Sequence, residues 1–385
     1  MYFCKKKIRK QIIIKDLKTK HLFSIALLAA AIFPAFNANS QVVFSPVFSQ
    51  IRLEARADFD YYHIDQDNAV SNPFGFHGKY FNFIVGGDLN DKFSYFFRQR
   101  IIAQDGSVSF FDNTDFLYLT YHPNKNWMFR LGKDALAVGG FEYDAAPIDV
   151  LFSTNYWDNF YCFQLGGAAA FKSDDGNHML LAQVANSPYV HYGAALGFAP
   201  GQEWRSGLLS YSLFWSGKMG HFNTLYSVNM FERPDHKFMN YIALGNKLIY
   251  DRWDIYLDLI HHALATDDWG KNFAAIACFN FHLTKDFNIY GKASYEQNLS
   301  EADFINPAAL DCLIASGSKI AKYGIGFEYN PSFCKDVRLH GVLSFNDYRT
   351  EDINGNQLSF TDQLTANIGI TWHMNIHRMF MERGM

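Results

Sequence analysis

From residue 50 to residue 374 the chain divides into sixteen segments in which apolar and polar side chains alternate, and the connections between them are alternately short and long. Successive side chains of a strand point to opposite faces, so alternation means that one face meets an apolar medium and the other a polar one. Residues 51–65, IRLEARADFDYYHID, are the sharpest case. Arg52, Glu54, Arg56, Asp58 and Asp60 take every second position, with Ile51, Leu53, Ala55, Ala57 and Phe59 between them. The same template places strands near 80–90, 93–104, 160–172, 335–348 and 358–374, among others. The segment 237–250 fits two phases, because Phe238, Ile242 and Leu244 compete with Met239, Tyr241 and Ala243.

The first 40 residues stand apart from this pattern. Lys5, Lys6, Lys7, Arg9, Lys10, Lys15, Lys18 and Lys20 precede an apolar run from Leu22 to Phe36, and Ala38-Asn39-Ser40 follows. This is the arrangement of a secretory signal peptide, with Gln41 as the first residue of the mature chain. The run has 15 residues, whereas a spanning helix needs roughly 20. Of 34 basic and 38 acidic side chains in all, 8 and 1 lie in this leader, leaving 26 against 37 and a net charge of −11. Such a balance argues against a nucleic-acid partner.

Residues 41–385 show no linker or shift of composition that would divide them. They carry most of the 38 Phe, 22 Tyr and 7 Trp and no second long apolar run. The short connections are polar turns, such as Asn90-Asp91-Lys92, Pro123-Asn124-Lys125-Asn126 and Thr284-Lys285-Asp286, and the longer ones include 65–79, 105–113, 134–159, 187–205 and 298–317. Four short turns end in a polar pair followed by an aromatic that opens the next strand, namely Phe93, Trp127, Trp253 and Phe287. An aromatic at one height on many strands is an interfacial girdle, and short turns on one side with long loops on the other are typical of outer-membrane barrels. In lipid every backbone group must be bonded internally, so strands span only as a closed barrel. The expected fold is therefore an all-β transmembrane antiparallel β-barrel of about 16 strands, with the ionic face of residues 51–65 turned to a water-filled lumen.

The third long loop holds Gly132-Lys133, then Val138-Gly139-Gly140-Phe141-Glu142-Tyr143-Asp144 and Pro147-Ile148-Asp149-Val150, and the final strand reads Asn367-Ile368-Gly369-Ile370-Thr371-Trp372. Both stretches resemble the phosphate-selective porin O and P family as it occurs in Bacteroidetes-type bacteria. The resemblance implies a sixteen-stranded, homotrimeric barrel in the outer membrane of a Gram-negative bacterium, with the third long loop folded into the lumen. It also implies a basic lining, for which strand parity nominates Arg52, Arg56, Arg98, Arg100 and Arg130. Two readings of these arginines stand side by side: an anion-attracting wall, or cations paired with neighbouring carboxylates in a hydrated interior. Between Asp134 and Asn159 the loop has acids but no Lys or Arg, a departure from phosphate selectivity. Glu142, Asp144 and Asp149 are its constriction candidates, unless the loop turns outward and they are solvated surface charges. Gly139-Gly140 suits an inward turn of the loop. Gly166-Gly167 fits either relief of crowding at the wall or an ordinary barrel bend.

No HExxH, GxSxG or Walker motif occurs. Neighbouring His261 and His262 point to opposite faces and share no metal, and Cys162, Cys278, Cys312 and Cys334 form no CxxC pair. No catalytic residue, cofactor or metal site is expected. The expected activity is passive diffusion of small hydrophilic solutes or ions, with lipid around the barrel and an anion or phosphate preference in the pore. The alternatives are a barrel enzyme of the lipase or protease type and a plugged scaffold or secretion-accessory barrel. Beyond Trp372 the chain continues to Met385, either as a longer strand ending on Phe380 or as a short periplasmic tail.

Overall fold

The computed structural model describes residues 48–101, 111, 113–158, 160, 162–191, 207–233, 237–263, 270–300, 304–305, 313–352, 355–376 and 378. The leader, Cys312 and Phe380 lie outside these residues. The wall begins with β1 (Gln50–Gln66), β2 (Phe74–Asn90), β3 (Phe93–Arg100), β4 (Thr114–Tyr121), β5 (Trp127–Ala135) and β6 (Phe163–Lys172). It continues through β7 (His178–Asn186), β8 (Leu209–Met219), β9 (Phe222–Glu232), β10 (Phe238–Ile249) and β11 (Trp253–Ala263). It ends with β12 (Asn272–His282), β13 (Phe287–Asn298), β14 (Ser318–Tyr329), β15 (Val337–Glu351) and β16 (Gln357–Asn375). Each strand pairs antiparallel with its neighbours, and β1 pairs with β16 from Arg52↔Asn375 to Gln66↔Thr361. That last pairing closes the barrel and leaves no sheet edge, the condition for crossing lipid with strands.

The short turns have a local cause. Asn90 Oδ1 accepts the backbone N–H groups of Lys92 and Phe93 at 2.9 and 3.0 Å, and Asn124 Oδ1 does the same for Asn126 and Trp127 at 3.0 and 2.9 Å. The side chain thus replaces a backbone acceptor and closes the turn immediately before the aromatic. The aromatics then stack along the rim, as in Phe93 on Tyr121, Trp127 on Phe129 and Tyr250 on Trp253, with centroids 4.8, 6.0 and 4.5 Å apart. On the outer face, Leu131, Ile325 and Ile368 are 72%, 66% and 59% exposed and belong to an apolar belt that also includes Leu117, Ile255 and Leu343. A belt of that extent is stable against acyl chains and not against water.

Parity assigns the lumen-facing side chains as expected on β1, β3, β11 and β16, while several boundaries differ. β2 starts at Phe74, not near 80, because the Gly-rich stretch 75–78 still pairs with residues 57–60 of β1 across a register shift at Arg56/Ala57. β6 starts at Phe163, since Phe160 belongs to the packing of the third long loop. On β10 the inward phase is Met239, Tyr241 and Ala243, all fully buried, with Leu244 on the lipid face. That inner phase is apolar, so the water-filled lumen expected from residues 51–65 does not extend to this part of the wall. Tyr241, Ala243, Ile260, Ala274 and Ile276 line one side of the bore as a packed core.

Candidate functional site

The third long loop, residues 136–162, adds Leu136, Val138, Tyr156 and Phe160 to that core. Tyr156 and Phe160 lie with ring centroids 5.7 and 5.3 Å from Tyr241, and Tyr156 stacks on His262 at 6.0 Å and 14°. Burying rings of this size contributes roughly 1.5–3 kcal/mol each, so the packing is a main source of the loop's placement. The loop carries one-turn helices α1 (Phe141–Asp144) and α2 (Asn155–Asp158), with a 3₁₀ turn at Pro147–Asp149 between them.

Polar bonds then tie the loop to successive strands around the inner wall. The Ala137 N–H donates to Gln183 of β7 at 2.7 Å, and Asn229 of β9 donates to the Ala137 carbonyl at 2.8 Å. Gly139 and Gly140 donate to Ser227 Oγ and the Leu225 carbonyl at 2.8 and 3.1 Å. Here glycine is required, because a Cβ on Gly139 would lie 2.4 Å from the Leu225 oxygen, and Gly140 has φ +104°. The Glu142 N–H donates to Asp258 of β11 at 2.9 Å, and Glu296 of β13 accepts the N–H groups of Asn155 and Tyr156 at 2.9 and 2.7 Å. Arg338 of β15 and Arg56 of β1 complete the series, donating to the carbonyls of Ile148 and Val150 respectively. A segment bonded to the inner faces of β7, β9, β11, β13, β15 and β1 lies inside the bore.

The five nominated arginines have different surroundings. Arg56 is buried, bidentate on Asp58 at 2.7–3.1 Å, and holds the loop, so this part of the ionic face meets protein and not open water. Arg52 sits near the short-turn rim, 3.9 Å from Glu54. Arg98 and Arg100 share Asp115 at 3.0 and 2.9 Å, and Arg130 pairs with Asp134 at 2.5 Å. The acids also separate. Glu142 is 2% exposed and binds Lys292 of β13; Asp149 pairs with Arg338 at 2.8 Å; the Asp144 side chain is exposed. A cavity of about 270 Å³ beside the loop brings together Asp144, Asp149, Lys247, Tyr290, Lys292 and Glu328. The parity rule that nominates the five arginines applies equally to Lys292, Lys322 and Arg338, which sequence reasoning passed over. Gly166 relieves crowding against β7, where a Cβ would lie 2.4 Å from the Val184 oxygen.

A closed sixteen-stranded barrel with an apolar outer belt and a loop bonded across its interior is a porin, a channel for small solutes. The model of the phosphate-selective porin O and P family matches residues 50–273, more than half of the chain, and the protein belongs to that family. Among solved structures the fold is similar to the outer membrane channel DcaP of Acinetobacter baumannii, at 13% identity and TM-score 0.55, covering 83% of this chain and 96% of that one. It is also similar to the anion-selective porin of Comamonas acidovorans, at 12% identity and TM-score 0.53, covering 84% and 99%. Among curated proteins none matches the sequence.

Proposed function

We propose that the protein is a passive diffusion channel of a Gram-negative outer membrane, without catalytic activity, whose passage runs between the third long loop and the arc β3–β5. One observation carries this reading. The loop is anchored to the inner faces of β7, β9, β11, β13, β15 and β1, while on the arc Arg100 and Arg130 keep 29% and 25% of their side chains accessible. On the inner face of the arc three guanidinium groups stand against Asp115 and Asp134, one excess positive charge, and the excess favours small anions over cations. Arg52 extends this field toward the short-turn rim, while Asp144 and Asp149 lie beside Lys247 and Arg338 on the far side of the loop. Because Asp115 and Asp134 temper the field, general passage with a weak anion preference fits better than dedicated phosphate uptake.

In the same reading residues 1–40 are removed on export and the mature barrels assemble as homotrimers. The test is single-channel conductance of the refolded mature chain in a planar bilayer, with zero-current voltages in a KCl gradient. Discrete steps with weak anion preference are expected. Silence from a folded barrel would sink the proposal and favour a plugged scaffold, the reading to which the apolar packing inside the bore otherwise lends weight.

A further inference from the structure

The inner face of β3 and β4 carries three aromatic rings as well as cations. Phe96 lies 5.6 Å from Phe116 and 5.7 Å from Tyr118, the second pair near-parallel at 26°. The Arg98 guanidinium sits over the Phe116 ring at 4.4 Å and that of Arg130 over the Tyr118 ring at 4.1 Å. The guanidinium groups and rings thus make a mixed platform, flat on its faces and edged with N–H donors. The rings themselves are half-buried, and Arg100 and Arg130 remain accessible beside them.

A polar channel wall does not need this composition. Hydration of a lumen is served by Ser, Thr, Asn and charged groups, and apolar rings turned inward, on an arc beyond the loop's main anchors, cost solvation. The arrangement suits a solute with the complementary surface: a planar apolar face to lie on the rings and an anionic end for the guanidinium edge. We infer that this platform is a binding track for planar aromatic carboxylates, a substrate class that rests on the channel reading above. Inorganic phosphate would use the cations and gain nothing from the rings. A neutral saccharide would gain nothing from the excess positive charge.

The probes are benzoate, cyclohexanecarboxylate and maltose, added to the refolded full-length mature channel during single-channel recording. Benzoate reduces the ion current saturably, and cyclohexanecarboxylate, with the same charge and a puckered ring, needs about three- to tenfold more for half-block, the ratio that ring stacking provides. Tyr118→Leu and Phe96→Leu, prepared separately so that one folded variant suffices, each bring benzoate toward the cyclohexanecarboxylate value. Folding of each variant is checked by its heat-modifiable mobility. Equal half-block by the two carboxylates in the unaltered channel overturns the inference while leaving the channel reading intact. So does benzoate block that survives both substitutions, or maltose block as strong as that of benzoate. A channel that conducts no electrolyte fails at the earlier step, and the inference falls with it.

Discussion

Replacing Glu142 with alanine tests what holds the loop in place. Its carboxylate accepts the Thr154 N–H at 3.1 Å and the Thr154 hydroxyl at 2.7 Å, and it binds the Lys292 ammonium, all at 2% exposure. After the substitution Lys292 stays in a site where its side chain is 7% exposed, with the Phe152 carbonyl at 2.8 Å as a remaining acceptor. Stranding one member of a buried pair costs about 3–5 kcal/mol. At about 1.4 kcal/mol per decade, the ratio of anchored to released loop falls by roughly two to nearly four orders of magnitude. Single-channel recording should show higher conductance with more open-state noise, and a protease added to the folded barrel should cut within residues 136–162. Glu142→Ala with Lys292→Met removes both charges, and much of the lost anchoring should return because the unpaired cation is gone. The reasoning is refuted if Glu142→Ala is as quiet and protease-resistant as the unaltered channel, or if the double variant is no better than the single.

Gly139→Ala forces a Cβ against the backbone oxygens of Leu225 and Ala243, 2.4 and 3.1 Å away; a destabilisation of the closed loop by about 1–3 kcal/mol is expected, seen as added current noise. Asp115→Asn leaves Arg98 and Arg100 without their shared carboxylate, so the zero-current voltage in a KCl gradient should move toward the chloride potential. In the exposed turn after β6, the Ser173 hydroxyl and the Asn177 N–H and side-chain amide push the Asp175 pKa down to about 2. A pKa lowered on folding adds stability above the unfolded value near 4, and this is lost as pH falls through about 2. The difference in urea unfolding between the unaltered chain and Asp175→Asn should therefore fade across that window and persist at neutral pH.

Strand number, facing and turn side were legible because a two-sided environment writes itself into alternation. Trp253, Ile255, Leu257 and Leu259 could only face lipid once Asp254 and Asp258 faced inward. Where both faces are apolar that signal disappears, which is why the phase of 237–250 stayed open and the core around Tyr241 and Ile276 went unseen. The partners inside the bore were illegible for another reason. Glu142 and Lys292 are 150 residues apart, and no local spacing says which cation on a closed ring will meet which acid on a loop. Parity, had it been applied to Lys292, could say only that this residue points inward. The inward course of the loop came from family resemblance, although Gly139-Gly140 carried a physical trace of it in the space left for the β9 backbone.

The two halves of the bore should answer differently to salt. On the loop side, the rings of Tyr156 and Phe160 and the buried Glu142–Lys292 and Arg56–Asp58 pairs are shielded from the electrolyte, and burial largely removes them from ionic screening. On the arc β3–β5, Arg100 and Arg130 are reached by water, so their field extends only about 10 Å at 0.1 M salt and about 3 Å at 1 M. Raising KCl across that range should therefore erode the anion preference while leaving the open-state noise, which reports loop anchoring, unchanged. If noise rises with salt, the loop is held by accessible charges and the packed core is not its anchor. If selectivity persists at about 1 M, the accessible arginines do not set it, and the discriminating groups must lie where ions do not screen them.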